Sequence, residues 1–566
     1  MIKFTKIFHA DLDNIHHAAL WLGFFGILAD FLGLFRDRFL AGMFGASRSL
    51  DIYYAAFRVP DFIYTFMLLF TASTAIIPIF LKKFGEKKEW SEELLGSAVL
   101  SFSSAVLILS ASAFFLMPLI TRFSLPGFSN EDIAQTAFLA RIMLLSPIFL
   151  GLSNIFSSVT QAFRRFFVYG LSPVFYNVGV ILGITVFYRF LGLAGLAWGV
   201  ALGAFLHMAI QIPSLKNLSI APRLKKFWSA DLKQIVWLSL PRTLGLSITQ
   251  ITIFILTGMA SVFSQGSISI FNLALNLEYI PVTVIGLSYS VAAFPDLVSF
   301  SLKKARDQFD KYFSAAMRHI IFWTLPMSVL LLVLRAQIVR VVLGSGVFSW
   351  PDTRLTAAAL FILSLAVVFQ SLFMLLVRAF YAEGESWRPL IINIVSSMLS
   401  VGAAFWFSLR LSPGQDAGFA NFVSGALRLG DISDIRVISL PLGIFAGSLF
   451  NFIFLFFSFK AVFGWFPARG AGRTLFQVFS ASAMGGLTAY WGLNIFARLF
   501  DLRTFLGIFF QGFFAGILGI LATGAVLWIL KNPELFEIYH SFKVFFLEKE
   551  KSKADMVPAP EPEKLL

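Results

Sequence analysis

Cysteine is absent from the 566-residue chain, so internal disulfides, thiolate metal sites and cysteine nucleophiles are excluded, and no redox compartment can be read. Charge is scarce as well. Only 13% of residues are Asp, Glu, Lys or Arg, against roughly 25% in soluble globular domains. The six histidines, His9, His16 and His17 among them, stand at no HExxH-like metal spacing. Neither a Walker phosphate loop nor a GxSxG nucleophile elbow occurs, and no paired-acid metal motif sits on a sizeable soluble loop. ATP hydrolysis, serine chemistry and metal-dependent glycosyl transfer therefore lack their parts. No catalytic residue, metal or cofactor is expected, and any transport would draw on membrane potential, an H+ or Na+ gradient, or downstream consumption of the cargo.

Apolar residues fill the chain instead. They make up 58% of it, Phe alone occupying 69 positions, and the mean hydropathy is +0.81. A water-soluble fold could not hide that much apolar surface. Runs long enough to cross a hydrocarbon core of about 30 Å recur from Leu20 to Leu530, so the bilayer is the solvent. The formal net charge of +14 is spread over short connections between those runs. That distribution fits a positive-inside bias and contact with anionic membrane lipids. Nucleic acid, which needs a basic stripe on a soluble surface, is not an expected partner.

Hydropathy over windows of roughly 19 residues predicts an all-α polytopic membrane protein of about 14 transmembrane helices. The expected order is a cytoplasmic N-terminus over 1–17, a six-span N-lobe over 18–216 and a six-span C-lobe over 217–463. Two further spans over 464–531, a membrane-surface helix over 532–550 and a disordered tail over 551–566 complete it. With the N-terminus inside, the even-numbered connections hold Lys82, Lys83, Lys87 and Lys88, then Arg164 and Arg165, then Arg223, Lys225 and Lys226, then Lys303, Lys304 and Arg306. Odd-numbered connections are poorer in lysine, so both termini are expected in the cytoplasm. The connection 412–436, rich in Gly, Ser and Asp, reads as a loop with a short surface helix and no assigned role.

The two lobes rest on an internal repeat, a common construction among transporters. Span two ends in Thr71-Ala72-Ser73-Thr74-Ala75-Ile76-Ile77-Pro78 before Lys82-Lys83, and span eight ends in Ser288-Tyr289-Ser290-Val291-Ala292-Ala293-Phe294-Pro295 before Lys303-Lys304. The earlier prolines Pro60 and Pro281 shift by about one helical turn. Chance similarity between two Ala/Ser/Pro-rich helices is the alternative.

Charged groups within a span are costly unless they face protein or water, so they point to a pathway. Span one carries Asp30, Arg36, Asp37 and Arg38, and span two carries Asp51, Arg58 and Asp61. Asp30, Gly33 and Asp37 share a helical face, as do Asp51 and Arg58. One reading is a hydrated cavity between the lobes in which Arg36 and Arg58 grip an anionic headgroup, guanidinium forks matching phosphate oxygens. The other is that these residues pair among themselves and lock helices together. In the second half Arg242 follows Pro241, and Asn276 and Glu278 precede Pro281, where freed backbone groups need a cavity or a polar partner. Arg242 either serves that cavity or snorkels. Glu278, the most isolated acid of this half, reads as a proton or cation site.

The stretch Asp30-Phe31-Leu32-Gly33-Leu34-Phe35-Arg36-Asp37-Arg38-Phe39-Leu40-Ala41, followed by Phe44-Gly45-Ala46, resembles the opening signature of the MurJ (MviN) lipid II flippases. Leu50-Asp51 and Ala56-Phe57-Arg58-Val59-Pro60-Asp61 are similar to that family's second-span motif. Gln161 to Phe166 with Ser172-Pro173 and Asn177, Pro241-Arg242-Thr243, and Arg378-Ala379-Phe380-Tyr381-Ala382 are similar to later ones. The resemblance implies the two-lobed architecture of the MOP (multidrug/oligosaccharidyl-lipid/polysaccharide) exporter superfamily. It also implies alternating access that carries lipid II, the undecaprenyl-pyrophosphate-linked disaccharide-pentapeptide, from the inner to the outer leaflet of a bacterial cytoplasmic membrane. Peptidoglycan synthesis and cell shape would depend on that step.

By this resemblance Arg36, Asp37, Asp51 and Arg58 occupy functional positions, and the last two spans shape a groove for the polyprenyl tail. With Arg242 and Asn276 they form the expected substrate-binding set. Glu278 and Asp30 are the expected ion-coupling acids, and Gly33, Pro60, Asn177 and Pro281 the expected structural positions. The chain departs from the family pattern at Asp30, Tyr64, Thr65 and Leu69, and at Asn276 where a cavity arginine is usual. Three other functions stay open: a flippase for another polyprenyl-linked oligosaccharide, a MATE-like cation exporter whose buried acids bind substrate or protons, and a non-transporting scaffold for cell-wall enzymes. The chain is expected to be a monomer in contact with the cell-wall synthesis machinery.

Overall fold

A chain crossing hydrocarbon must satisfy its backbone polar groups internally, which leaves helices or closed barrels. Here every regular element among the described residues is helical. The computed structural model describes residues 15–547 except 72, 219, 415–416 and 465–469. The N-terminal stretch up to residue 14, expected to be cytoplasmic, and the tail 551–566, expected to be disordered, lie outside them. Among the described residues eleven helices are long and apolar enough to cross a membrane. The expected all-α polytopic class therefore stands, with eleven spans counted by length and composition.

The first half begins with α1 (Ile15–Phe44) and a rod divided into α2 (Arg48–Ala56), α3 (Arg58–Thr71) and α4 (Ser73–Glu86). α5 (Lys88–Ser124) follows, then α6 (Asn130–Met143) continued by α7 (Leu145–Ala162). α8 (Phe166–Leu182) runs through a π-turn at Gly183–Phe187 into α9 (Tyr188–Leu191), and α10 (Leu193–Ala209) and α11 (Ile212–Asn217) end this half. The second half comprises α12 (Ala230–Ser261), α13 (Ser267–Pro281), a π-turn at Val282–Leu287, α14 (Ser288–Leu302), α15 (Arg306–Val342), α16 (Trp350–Ala382) and α17 (Trp387–Arg410). The short α18 (Ala417–Leu427) and then α19 (Ser439–Phe463) complete it, and α20 (Ala471–Phe496), α21 (Phe505–Ile529) and α22 (Pro533–Leu547) are appended.

Local chemistry places the interruptions. Pro60 has no N–H to offer the carbonyl four residues back, and the rod breaks there, between Ala56 and Arg58. In the second half the π-turn starts immediately after Pro281. Both halves also start one rod with the same device, a capping box. Ser129 and Asp132 exchange bonds of 3.1 Å at the head of α6, and Ser349 and Asp352 exchange bonds of 2.9 and 3.2 Å at the head of α16.

Small residues then bring neighbouring rods together. A Cβ on Gly183 would stand 2.5 Å from the Cα of Gly199, and one on Gly443 would stand 2.5 Å from the carbonyl oxygen of Ser400. The C-terminal α22 is tied inward by a buried acid. Glu534 accepts from Arg318 Nε at 2.7 Å and from Thr474 at 3.0 Å, joining α22 to α15 and α20.

Candidate functional site

Asp37 of α1, with Arg36 beside it, Asp51 of α2 and Arg58 of α3 meet α13 and the turn before it. Arg36 and Asp37 pair side by side, Nε to Oδ1 at 2.9 Å, and Asn276 donates to the other Asp37 oxygen at 2.9 Å. One helical turn earlier on α13, Asn272 accepts from Arg58, its own amide nitrogen donating to the Ile268 carbonyl at 2.7 Å. Asn272 and Asn276 are four residues apart and so lie on one helical face. Arg58 thus faces a neutral amide of the second half, a partner that an anion can displace without leaving a buried carboxylate behind, whereas Arg36 is held by the buried Asp37 carboxylate that Asn276 also reaches.

Asp51 lies at a different level. It is 1% exposed and sits against the start of α13, where its carboxylate accepts from the Gly266 N–H at 2.7 Å, the Ser269 N–H at 2.8 Å and the Ser269 hydroxyl at 2.7 Å. An anion at a helix N-terminus satisfies donors that have no intrahelical partner and complements the helix dipole. Gly266 holds φ +88°, and a Cβ there would run into the Ala46 carbonyl, so the turn that receives Asp51 requires glycine. Neighbouring connections of the same side are joined too: Val347 N–H to the Gly42 carbonyl at 3.0 Å, Ala46 N–H to Asp352 at 3.3 Å and Gly127 N–H to Ser261 at 3.2 Å. Towards the opposite side, Lys83 of α4 pairs with Asp231 of α12 at 3.4 Å.

From Arg58 and Asp61 a cavity of about 600 Å³ extends into the second half between α12, α13, α16, α17 and α19. Its wall carries Glu278, Gln250, Asn393 and Asn451 among apolar neighbours such as Phe373 and Met374. Three buried polar atoms of this wall have no hydrogen-bond partner: Arg58 Nε, a donor, and Glu278 Oε1 and Asn451 Oδ1, both acceptors. An unmet buried donor or acceptor costs about 1–3 kcal/mol, so these atoms mark where a ligand would be welcomed. Among the described residues no group of three or more His, Cys, Asp or Glu is arranged to hold a metal.

The other residues singled out by sequence fall elsewhere. Asp30 is exposed on α1, sharing a helical face but not an environment with the buried Asp37. Gly33 packs beside Asn177, whose amide oxygen lies 4.0 Å from where a Cβ on Gly33 would be. Asn177 donates to the carbonyls of Ala29 at 3.1 Å and Pro173 at 3.2 Å, binding α8 to α1. Arg242 is exposed and does not line the cavity. Tyr64 accepts from Asn154 of α7 at 2.9 Å, and Thr65 lies in the cavity wall. Sequence reasoning passed over Asn272, Asn393 and Asn451. The polar spacing of Asn272 with Asn276, and of Asn393 with Ser397 and Ser400, at helical intervals of three or four within apolar runs could have marked a polar helix face, though not the bond between Asn393 and Asn451.

A family model described as lipid II flippase MurJ matches residues 40–511; Arg36 and Asp37 precede the matched stretch. A probable lipid II flippase MurJ of Buchnera aphidicola is 28% identical over 380 residues, which is 66% of this chain and 74% of the relative. The corresponding protein of Thermotoga maritima is 27% identical over 418 residues, 72% of this chain and 84% of its own length. Among solved structures, lipid II flippase MurJ in an inward closed conformation superimposes with a TM-score of 0.69 at 21% identity, covering 91% of this chain and all of that one. An inward-facing MATE multidrug transporter of the MOP superfamily gives 0.62 at 17% identity over 77% of this chain and 96% of its own. At these identities the two structures speak for the fold alone.

Proposed function

The chain belongs to the lipid II flippase MurJ family, a family of transporters, and from that premise we propose that it moves undecaprenyl-pyrophosphate-linked peptidoglycan precursor from the inner to the outer leaflet by alternating access. It is a multi-pass protein of the bacterial inner membrane. The N-lobe over 18–216 and the C-lobe over 217–463 are the moving bodies, and both termini face the cytoplasm. In that orientation the side latched by Asp51 is the outer one, and the headgroup enters from the cytoplasm.

The observation that carries this reading is Arg58. Its guanidinium is held across the halves by the neutral Asn272, it lines the cavity, and its Nε lacks an acceptor. A pyrophosphate oxygen supplies that acceptor, and charge-assisted bonds from guanidinium to phosphate outweigh the amide contact they replace. Arg36 with Asp37 and Asn276 forms the neighbouring subsite. Release of Asp51 from Gly266 and Ser269 opens the outer side. Membrane potential or an H+ or Na+ gradient drives the cycle, and the chain works as a monomer beside the cell-wall synthesis machinery.

The test is flipping of labelled lipid II in proteoliposomes by wild type, Arg58→Ala and Arg58→Lys. Wild-type flipping, with Arg58→Ala reduced by at least about tenfold and Arg58→Lys partly active, fits the proposal. Equal flipping by all three removes Arg58 from the pathway. Flipping of a different polyprenyl-linked glycan, with lipid II left untouched, would transfer the function to that substrate.

A further inference from the structure

A carboxylate 2% exposed inside a membrane protein is costly unless a cation or a proton neutralises it. Glu278 is such a group, and its Oε1 faces no donor. Across the same cavity Asn451 also presents an acceptor, and hydrogen bonding fixes the direction of its amide. Asn393 Nδ2 donates to the Gly245 carbonyl at 3.0 Å, an atom that can only accept. The Asn393 oxygen therefore points the other way and takes the Asn451 Nδ2 bond at 3.1 Å. The Asn451 oxygen is left without a donor. A carboxylate and an oriented amide oxygen together call for a ligand that donates hydrogen bonds and carries positive charge.

Size decides which kind of cation. A bare metal ion needs close oxygen ligands on all sides, in a space not much larger than the roughly 30 Å³ share of one water. The cavity is about 600 Å³ and is lined by Leu246, Leu275, Phe373 and Met374 as well as by polar groups, which is the size and character of a site for an organic group.

We propose that Glu278 and Asn451, in the wall of this cavity, bind a primary ammonium carried on an aliphatic chain, the amino group of the substrate's peptide stem, while Arg58 in the same wall takes phosphate. The inference rests on the flippase reading and adds to it: the cavity recognises a headgroup of both signs. Glu278, expected from sequence as an ion-coupling acid, is here a substrate-binding residue.

Binding of lysine-containing lipid II, and of the same molecule acetylated at the lysine amine, is measured on the full-length protein in nanodiscs for wild type, Glu278→Gln and Asn451→Ala. Acetylation weakens wild-type binding by about tenfold or more, the worth of one charge-assisted hydrogen bond. It has little effect on the isosteric Glu278→Gln, and its effect on Asn451→Ala is reduced. Equal binding of both lipids by wild type overturns the inference and leaves the flippase reading standing. So does a sodium dependence, shared by both lipids, that Glu278→Gln abolishes, since it makes the site one for a metal ion. Binding of neither lipid by folded wild type overturns the flippase reading and this inference with it.

Discussion

Asp51 and Ser269 share two hydrogen bonds across the halves of the molecule, one from the Ser269 N–H and one from its hydroxyl, both to the same carboxylate oxygen. With the Gly266 N–H on the other oxygen, a single side chain of α2 caps the start of α13. A latch of this kind is reversible because the donors it satisfies can bond to water when the halves part.

Replacing Asp51 by alanine should therefore favour separation of the halves on that side by about 2–4 kcal/mol, and Asp51→Asn should do so less. The cysteine-free sequence lets spin labels be placed at Glu131→Cys and Gln265→Cys alone. Asp51→Ala should shift their distance distribution to longer values. An unchanged distribution would mean that the surrounding backbone contacts hold this side closed without Asp51.

The connection 412–436 is joined to the rest of the second half through an ion pair and a backbone hydrogen bond. Arg354 grips both oxygens of Asp431. Asp434 bonds Arg436 at 2.7 Å and accepts from Ser264 N–H at 3.0 Å, next to the turn that receives Asp51. The Arg354 bond holds the Asp431 carboxyl below the usual range. Burial pushes Asp434 upward, but the Arg436 side-chain and backbone bonds prevail and leave it low. A depressed carboxyl contributes stability that is present above its unfolded value and lost as pH falls through its folded one. A spin label at Phe422→Cys should thus stay immobile from neutral pH down through the ordinary carboxylate range of about 4, loosening only below it. Arg354→Ala should raise the onset. Loosening of wild type in mildly acidic buffer would contradict this.

Helix contact in the second half depends on small residues. A Cβ on Gly447 would press into the Ser400 side chain, whereas Gly402 has nothing within 4 Å. Gly447→Leu should cost about 1–3 kcal/mol through overpacking and lower the melting temperature of the purified protein. Gly402→Leu should leave it nearly unchanged. Equal effects would mean that α17 and α19 separate at little cost.

The helical class was legible because hydropathy is a summed property: runs such as Leu355 to Tyr381 declare themselves whatever their partners. Pro60 and Pro281 could be read as interruptions for an equally local reason, a missing N–H. The wall of the cavity was not legible. Asn393 and Asn451 are neutral amides in apolar helices, and what matters about them is a bond between residues 58 positions apart, which no window along the chain detects. The role of 412–436 was hidden in the same way, since Asp431 finds Arg354 at a separation of 77. Arg36 and Asp37 drew attention by charge, yet charge did not say that they bond each other and Asn276 at once. The two readings offered for them, gripping a headgroup and locking helices, are compatible in one site that exchanges its internal partners for a ligand.

The most direct measurement is growth and outer-leaflet lipid II in bacteria depleted of their own flippase and supplied with this chain or its Arg36→Ala variant. The account predicts that the wild-type chain restores both and that a normally expressed, membrane-inserted Arg36→Ala restores neither. A well-expressed wild-type chain that leaves lipid II on the inner leaflet would contradict it.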